Sequence, residues 1–167
     1  MLMTLPPVID ALDFAGNAGT YHGKISISAL ERLQDYLADN LGSLEYGIAG
    51  ALDDEGRPVL RIQIYGIMHL RCQRCLEKIL HILDINTALL LARDEDELLR
   101  LDEGESADCI LGRQDLNVPV LIEDEIILSL PFSPRHSEEK CAVTGGQDGN
   151  ADERMPFAAL SALKRSH

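Results

Sequence analysis

Two thiols with two residues between them, Cys72 and Cys75, are the residues best placed to do chemistry in this chain. At that spacing both sulfurs can face one metal ion, or close on each other as a redox pair. A zinc site needs four ligands, and His136 and Cys141 are the residues that complete a set of three thiolates and one imidazole. With no second Cys-x-x-Cys in the chain, metal-free structural thiols are the commoner fate of such a half-visible constellation. Cys109 is read as a spare, a small buried apolar residue. Redox catalysis is the weaker alternative, because it wants the pair at the N-terminus of a helix, where the thiol pKa is lowered. Glu123, Asp124 and Glu125 are adjacent on an expected helix, so they point in different directions and do not share one metal. A solvated or partner-facing surface is expected of them. No glycine-rich phosphate loop or nucleophile elbow is present.

The elements around the pair explain its placement. Leu60, Ile62, Ile64, Gly66, Met68, Leu70 and Cys72 occupy alternate positions, which predicts a half-buried strand running into the pair. Residues 43–52 alternate in the same way. Asp53-Asp54-Glu55-Gly56-Arg57-Pro58 is turn chemistry joining the two strands as a hairpin. Apolar residues through 76–91 predict a third strand, antiparallel to the second, with a helix over part of 86–92 as the alternative. The Cys pair is then a knuckle between strands.

Elsewhere, residues 1–27 read as extended and irregular. Ser28 with Glu31 forms a capping-box pattern ahead of Leu30, Leu33 and Leu37, predicting a helix over 28–41. The acidic stretch 93–105 reads as a short solvated helix or loop, and 109–111 as a short strand. Asn117 as cap and Pro119 in the first turn predict a helix over 117–130, ended by Pro131 and Pro134.

The expectation is one α+β domain over 1–141, an antiparallel sheet covered by helices. A flexible C-terminal extension, 142–167, follows: a Gly/Asp/Asn-rich linker and a short amphipathic helix with Phe157, Leu160 and Leu163 at helical spacing. That unit is expected to recognise a partner, and docking on its own domain is the alternative.

At net charge −13, the chain is not built for wholesale binding to phosphate backbones, and no DNA partner is expected. The charge is uneven. Residues 61–90 carry four Lys/Arg (Arg61, Arg71, Arg74, Lys78) against two acids, whereas 91–130 carry three against twelve. The four cations are the candidate RNA contact. No secretory leader and no apolar run of membrane-spanning length are read, and four Cys in that setting point to cytoplasmic thiols.

Three segments together resemble one family. They are Cys72-Gln73-Arg74-Cys75-Leu76-Glu77; Ile122 to Pro131 with its Glu123-Asp124-Glu125, followed by Pro134 and His136; and Pro156-Phe157-Ala158-Ala159-Leu160 with Leu163-Lys164. In order and spacing they are similar to the bacterial YceD family, the large ribosomal RNA subunit accumulation proteins. Tyr21-His22-Gly23 ahead of Arg32-Leu33 fits as well. The resemblance implies a non-enzymatic role in synthesis, processing or stability of large-subunit (23S) ribosomal RNA during ribosome assembly. A ribosomal protein, an assembly factor or precursor large-subunit RNA would be the partner. Contact residues on this reading are Arg61, Arg71, Arg74, Lys78, Glu123, Asp124, Glu125, Phe157, Leu160 and Lys164. An RNA-processing or thiol-redox enzyme is the alternative. Some relatives are richer in Cys after the Leu-Pro segment, where this chain has only His136 and Cys141, so the metal set is not carried over from the family.

Overall fold

The computed structural model describes residues 8–104, 108–137 and Cys141. The expected C-terminal linker and helix lie outside those residues, as do Phe157, Leu160 and Lys164. In chain order the elements begin with β1 (Val8–Ile9), α1 (Ala11–Gly16) and β2 (Thr20–Ser26). Two short 3-10 turns come next, at Ile27–Ala29 and Glu31–Leu33. Then come β3 (Ser43–Leu52), β4 (Pro58–Arg71), β5 (Lys78–Ala92), α2 (Glu95–Gly104), β6 (Cys109–Leu111), β7 (Leu116–Asn117) and α3 (Val118–Ser129).

The architecture is α+β. A five-stranded sheet has the order β2-β3-β4-β5-β6, and β1 pairs with β7 in a separate two-stranded ribbon. All pairings in the large sheet are antiparallel except β5 with β6, which is parallel. Period-two burial is the reason β4 is a strand: Leu60, Ile62, Ile64, Met68 and Leu70 are sealed in the core while Arg61, Gln63, Tyr65 and Arg71 stand on the other face. The β4–β5 register is continuous from Val59 opposite Leu90 to Arg71 opposite Lys78. No part of 86–92 is helical.

One apolar cluster holds the fold together. Ala11 and Ala15 of α1, Ile27, Leu30, Leu33 and Leu37, and Val118, Ile122 and Ile126 of α3 cover the inner face of the sheet. Helix α1 lies so close to β3 that a Cβ on Gly50 would sit 2.4 Å from the Phe14 carbonyl oxygen. Only glycine fits beneath that helix turn. Among the described residues no helix is long and apolar enough to cross a membrane.

Two expectations are corrected. Residues 28–41 do not form a helix; the chain makes two separate 3-10 turns interrupted at Leu30, with φ −91° and ψ 86°. The capping box is not formed, and Ser28 Oγ is instead 2.8 Å from Ser26 Oγ. A side chain of the same stretch and, further on, the end of β4 take backbone groups that a helix would satisfy internally. Gln34 Nε2 donates to the carbonyls of Ile27 and Leu30 at 2.9 and 2.8 Å. Further on, Ala38 N–H donates to His69 O at 2.8 Å and Arg71 N–H to Tyr36 O at 3.2 Å, so residues 36–38 run beside the end of β4. The first 27 residues are the second correction: from residue 8 they hold α1 and β2. Asp10 caps α1 by accepting from Asp13 N–H at 3.0 Å, a signal that was legible in the sequence.

Candidate metal centre

Strand β4 delivers Cys72 to the floor of the fold, where it is fully buried. The chain then reverses in the knuckle 72–77, closed by Cys72 N–H to Glu77 O and Leu76 N–H to Cys72 O, both 2.9 Å. Leu76 takes up φ 63°, in the left-handed region. The segment after α3 returns to this knuckle. Gln73 N–H donates to Pro134 O at 2.8 Å, which sets His136 beside Cys75. Cys141 sits behind, also buried.

The four ligand atoms of Cys72, Cys75, His136 and Cys141 all lie within 4.8 Å of one another. Cys72 Sγ is 3.8 Å from Cys141 Sγ, and Cys75 Sγ is 3.4 Å from His136 Nδ1. A tetrahedral zinc ion, with bonds of about 2.3 Å to sulfur and about 2.05 Å to nitrogen, separates its ligand sulfurs by about 3.8 Å and a sulfur from a nitrogen by about 3.5 Å. The arrangement therefore fits a single ion. Cys72, Cys75 and Cys141 form no disulfide.

The histidine is also correctly oriented. His136 Nε2 lies 3.1 Å from the Lys78 carbonyl, which only accepts, so Nε2 carries the proton. That leaves the Nδ1 lone pair aimed at the thiols, the tautomer a metal ligand needs. Burial works against a thiolate at Cys72, but backbone N–H groups of Cys75, His136 and Arg74 outweigh it and bring its pKa down to about 5. Cys141 has the reverse balance: burial, followed by the neighbouring Cys75 and Cys72 sulfurs, pushes it up to about 11. A shared cation would reconcile the two. The thiol pair lies between two strands and not at a helix N-terminus, so the lowered Cys72 pKa comes from backbone N–H groups of the knuckle and of His136 and not from a helix dipole.

Beside the cluster is a group of ionisable side chains that the sequence did not single out. Asp39 Oδ2 accepts from Lys78 Nζ at 2.8 Å and lies 3.2 Å from His69 Nδ1. The Lys78 bond, only partly offset by desolvation, holds Asp39 down to about 2. Lys78 thus supplies its ammonium to Asp39 and its carbonyl to His136.

Three of the four expected RNA-contact cations come together here. Arg71 and Lys78 are directly opposite in the β4–β5 register, and Arg74 is exposed in the knuckle between them. Arg61 lies ten residues back along β4, about 33 Å away at strand rise, and belongs to another part of the face. The acidic triplet is divided as well. Glu123 is buried and its Oε1 accepts from the backbone N–H groups of Arg32 and Leu33 at 2.6 and 3.2 Å. The expectation of a partner contact at Glu123 is corrected accordingly: its carboxylate is satisfied within the chain and anchors α3 to the second 3-10 turn. Asp124 pairs with the Arg32 guanidinium. Glu125 is partly buried, and desolvation followed by Asp108 and Asp124 raises its pKa.

Fold and site define an α+β protein with a Cys3His group pinning a strand–strand knuckle to the segment after its last described helix. Residues 60–164 match the family described as Large ribosomal RNA subunit accumulation protein YceD, and the chain belongs to that family. A Haemophilus influenzae protein named Large ribosomal RNA subunit accumulation protein YceD is 26% identical over 168 residues, covering 96% of this chain and 97% of that protein. No solved structure matches the chain.

Proposed function

We propose that this chain is a non-enzymatic cytoplasmic factor that promotes accumulation of large-subunit (23S) ribosomal RNA during ribosome assembly. The observation that carries this reading is the family match over residues 60–164, which spans the knuckle, the acidic helix and the C-terminal segment. The site supports a structural role. Cys72, Cys75, His136 and Cys141 would hold zinc with four protein ligands and no open position, which is how a structural zinc is bound. Bound there, the ion neutralises the thiolates and fixes the knuckle to the 134–141 segment. Arg71, Arg74 and Lys78 then form a small cationic site for RNA phosphate on an otherwise acidic molecule, with Arg61 as a separate contact. Asp124 and Glu125, with the acidic α2 region, are suited to a basic ribosomal protein or an assembly factor. Residues 1–141 act as one domain, and Phe157, Leu160 and Lys164 reach a partner from the C-terminal segment.

The test is a strain lacking the protein, with both ribosomal RNAs quantified against the parent. A selective fall in large-subunit RNA, restored by the wild-type gene, is expected. An equal fall in both RNAs would overturn the reading, as would cleavage of precursor ribosomal RNA by the purified protein alone.

A further inference from the structure

The outer face of the five-stranded sheet carries an uncovered apolar strip. Ile67 of β4 stands opposite Ile82 of β5, and Leu80 is next along, opposite His69. They are 49%, 61% and 59% exposed, although they lie on the two longest strands of the sheet. The strip has charged ends of opposite sign. Arg71 and Lys78, the latter paired with Asp39 at 2.8 Å, close it at the knuckle, while Asp84 and Glu45, both opposite Tyr65 and the latter paired with Lys24 at 2.7 Å, close it at the far end. Exposed apolar surface with such a rim marks a contact face.

The described chain ends at Cys141, in the metal centre, at the cationic end of this strip. The sequence beyond Cys141 has the complementary order in net charge: Asp152, Glu153 and Arg154, two acids against one base, then Phe157, Leu160 and Leu163, then Lys164 and Arg165. Lengths agree too. From Lys78 to Asp84 is about 20 Å at strand rise, and a helix from Glu153 to Lys164 covers about 17 Å. Residues 142–152 reach over about 36 Å when extended, far more than the path from the knuckle to the start of the strip requires.

We infer that residues 153–165 lie along the outer sheet face of their own chain, with Phe157, Leu160 and Leu163 on the Ile67–Leu80–Ile82 strip. Their acidic end faces Arg71 and Lys78, and their basic end faces Glu45 and Asp84. This contact goes beyond the ribosomal RNA reading and is independent of it. It makes partner capture by Phe157 and Leu160 an exchange: whatever takes the segment uncovers the strip and the neighbouring cations.

Amide hydrogen exchange of the full-length protein, read by mass spectrometry at several protein concentrations, tests the contact. The expected result is exchange in 156–165 slower than in 142–150 by about tenfold or more, independent of concentration. Ile82→Asp and Ile67→Asp each abolish that protection while β3 and β4 amides stay protected. Phe157→Ala combined with Leu160→Ala, which leaves the sheet untouched, removes the same protection from the other side. Fast exchange of 156–165 in the wild type overturns the inference. So does protection that grows with concentration, which would place a second copy on the strip. Protection that survives both sheet substitutions overturns it as well, since the segment would then lie elsewhere.

Discussion

Strand β4 is bounded by two reversals that are held in opposite ways. At its start, the turn 53–57 is built from its own residues. Asp53 Oδ1 accepts from the N–H groups of Glu55 and Arg57 at 3.0 and 2.8 Å, and its Oδ2 accepts from Arg57 Nε at 2.7 Å. Gly56 takes the left-handed position, φ 77°, with no steric cost. At the other end, the knuckle 72–77 puts a leucine, Leu76, in the left-handed region with 69% of its surface exposed. Locally that reversal has its two backbone hydrogen bonds, the Arg74 N–H to Cys72 Sγ contact at 3.4 Å and the Gln73 Nε2 bond to Arg71 O. Its side-chain anchors at the two thiols come from far along the chain: His136, 61 residues from Cys75, and Cys141, 69 residues from Cys72. A turn coded by neighbours forms on its own, whereas one coded by distant ligands needs the rest of the fold, and something that draws the ligands together.

The strongest way to break this contrast is to remove the zinc proposed for the Cys72–Cys75–His136–Cys141 group. Chelation of protein purified with zinc, or Cys72→Ser, is expected to lower Tm by about 10 °C or more. Amide protection should vanish together at 72–78 and 134–141, while the 53–57 turn keeps its own. Elemental analysis should give one zinc per chain before chelation. A Tm indifferent to chelator would put the knuckle in the same class as the first turn.

Asp53→Ala probes the locally coded turn, with an intermediate effect expected: a loss of about 2–6 °C in Tm, with zinc content unchanged. It should also alter the pH dependence. The Arg57 backbone N–H, together with the Arg57 guanidinium and the Glu55 N–H, holds the Asp53 pKa below its unfolded value despite some desolvation. A depressed folded pKa stabilises above the unfolded value of about 3.9, and that stabilisation is lost as pH falls through the lower folded value. Wild type and variant should therefore converge in Tm as acid is added below about pH 4. A gap that persists at the lowest pH would mean the carboxylate charge is not what holds the turn.

Smallest in effect is Leu76→Gly. A non-glycine residue in the left-handed region costs about 1–2 kcal/mol, and glycine gives back part of that through a freer unfolded chain. The net expectation is a rise in Tm of about 1–3 °C with zinc content unchanged. A fall in Tm would show that the exposed leucine makes a contact that outweighs its backbone conformation.

Much of this protein is determined by short-range pattern. The alternation through 60–72 dictates a strand because one face must be buried, and the structure has that strand at Pro58–Arg71. Asn117 caps α3 by accepting from Val120 N–H at 3.2 Å, as its position before Val118-Pro119 implies. The turn 53–57 and the knuckle position of the Cys pair were legible for the same reason: the interactions concerned span only a few residues.

Where a residue's partners are distant, the local pattern misled or was silent. Leu30, Leu33 and Leu37 have helical spacing, yet Glu123 of α3 and the end of β4 claim backbone groups of that stretch, and the chain winds into separate turns. Glu123 looked solvated within its acidic triplet, and became a buried anchor because two N–H groups of the second 3-10 turn needed an acceptor. Cys72, Cys75, His136 and Cys141 could be named as a set from the sequence. Their meeting within 4.8 Å was decided only when the segment after α3 folded back onto the knuckle. Composition names the ligands, but bringing ligands together across some sixty residues is settled by packing.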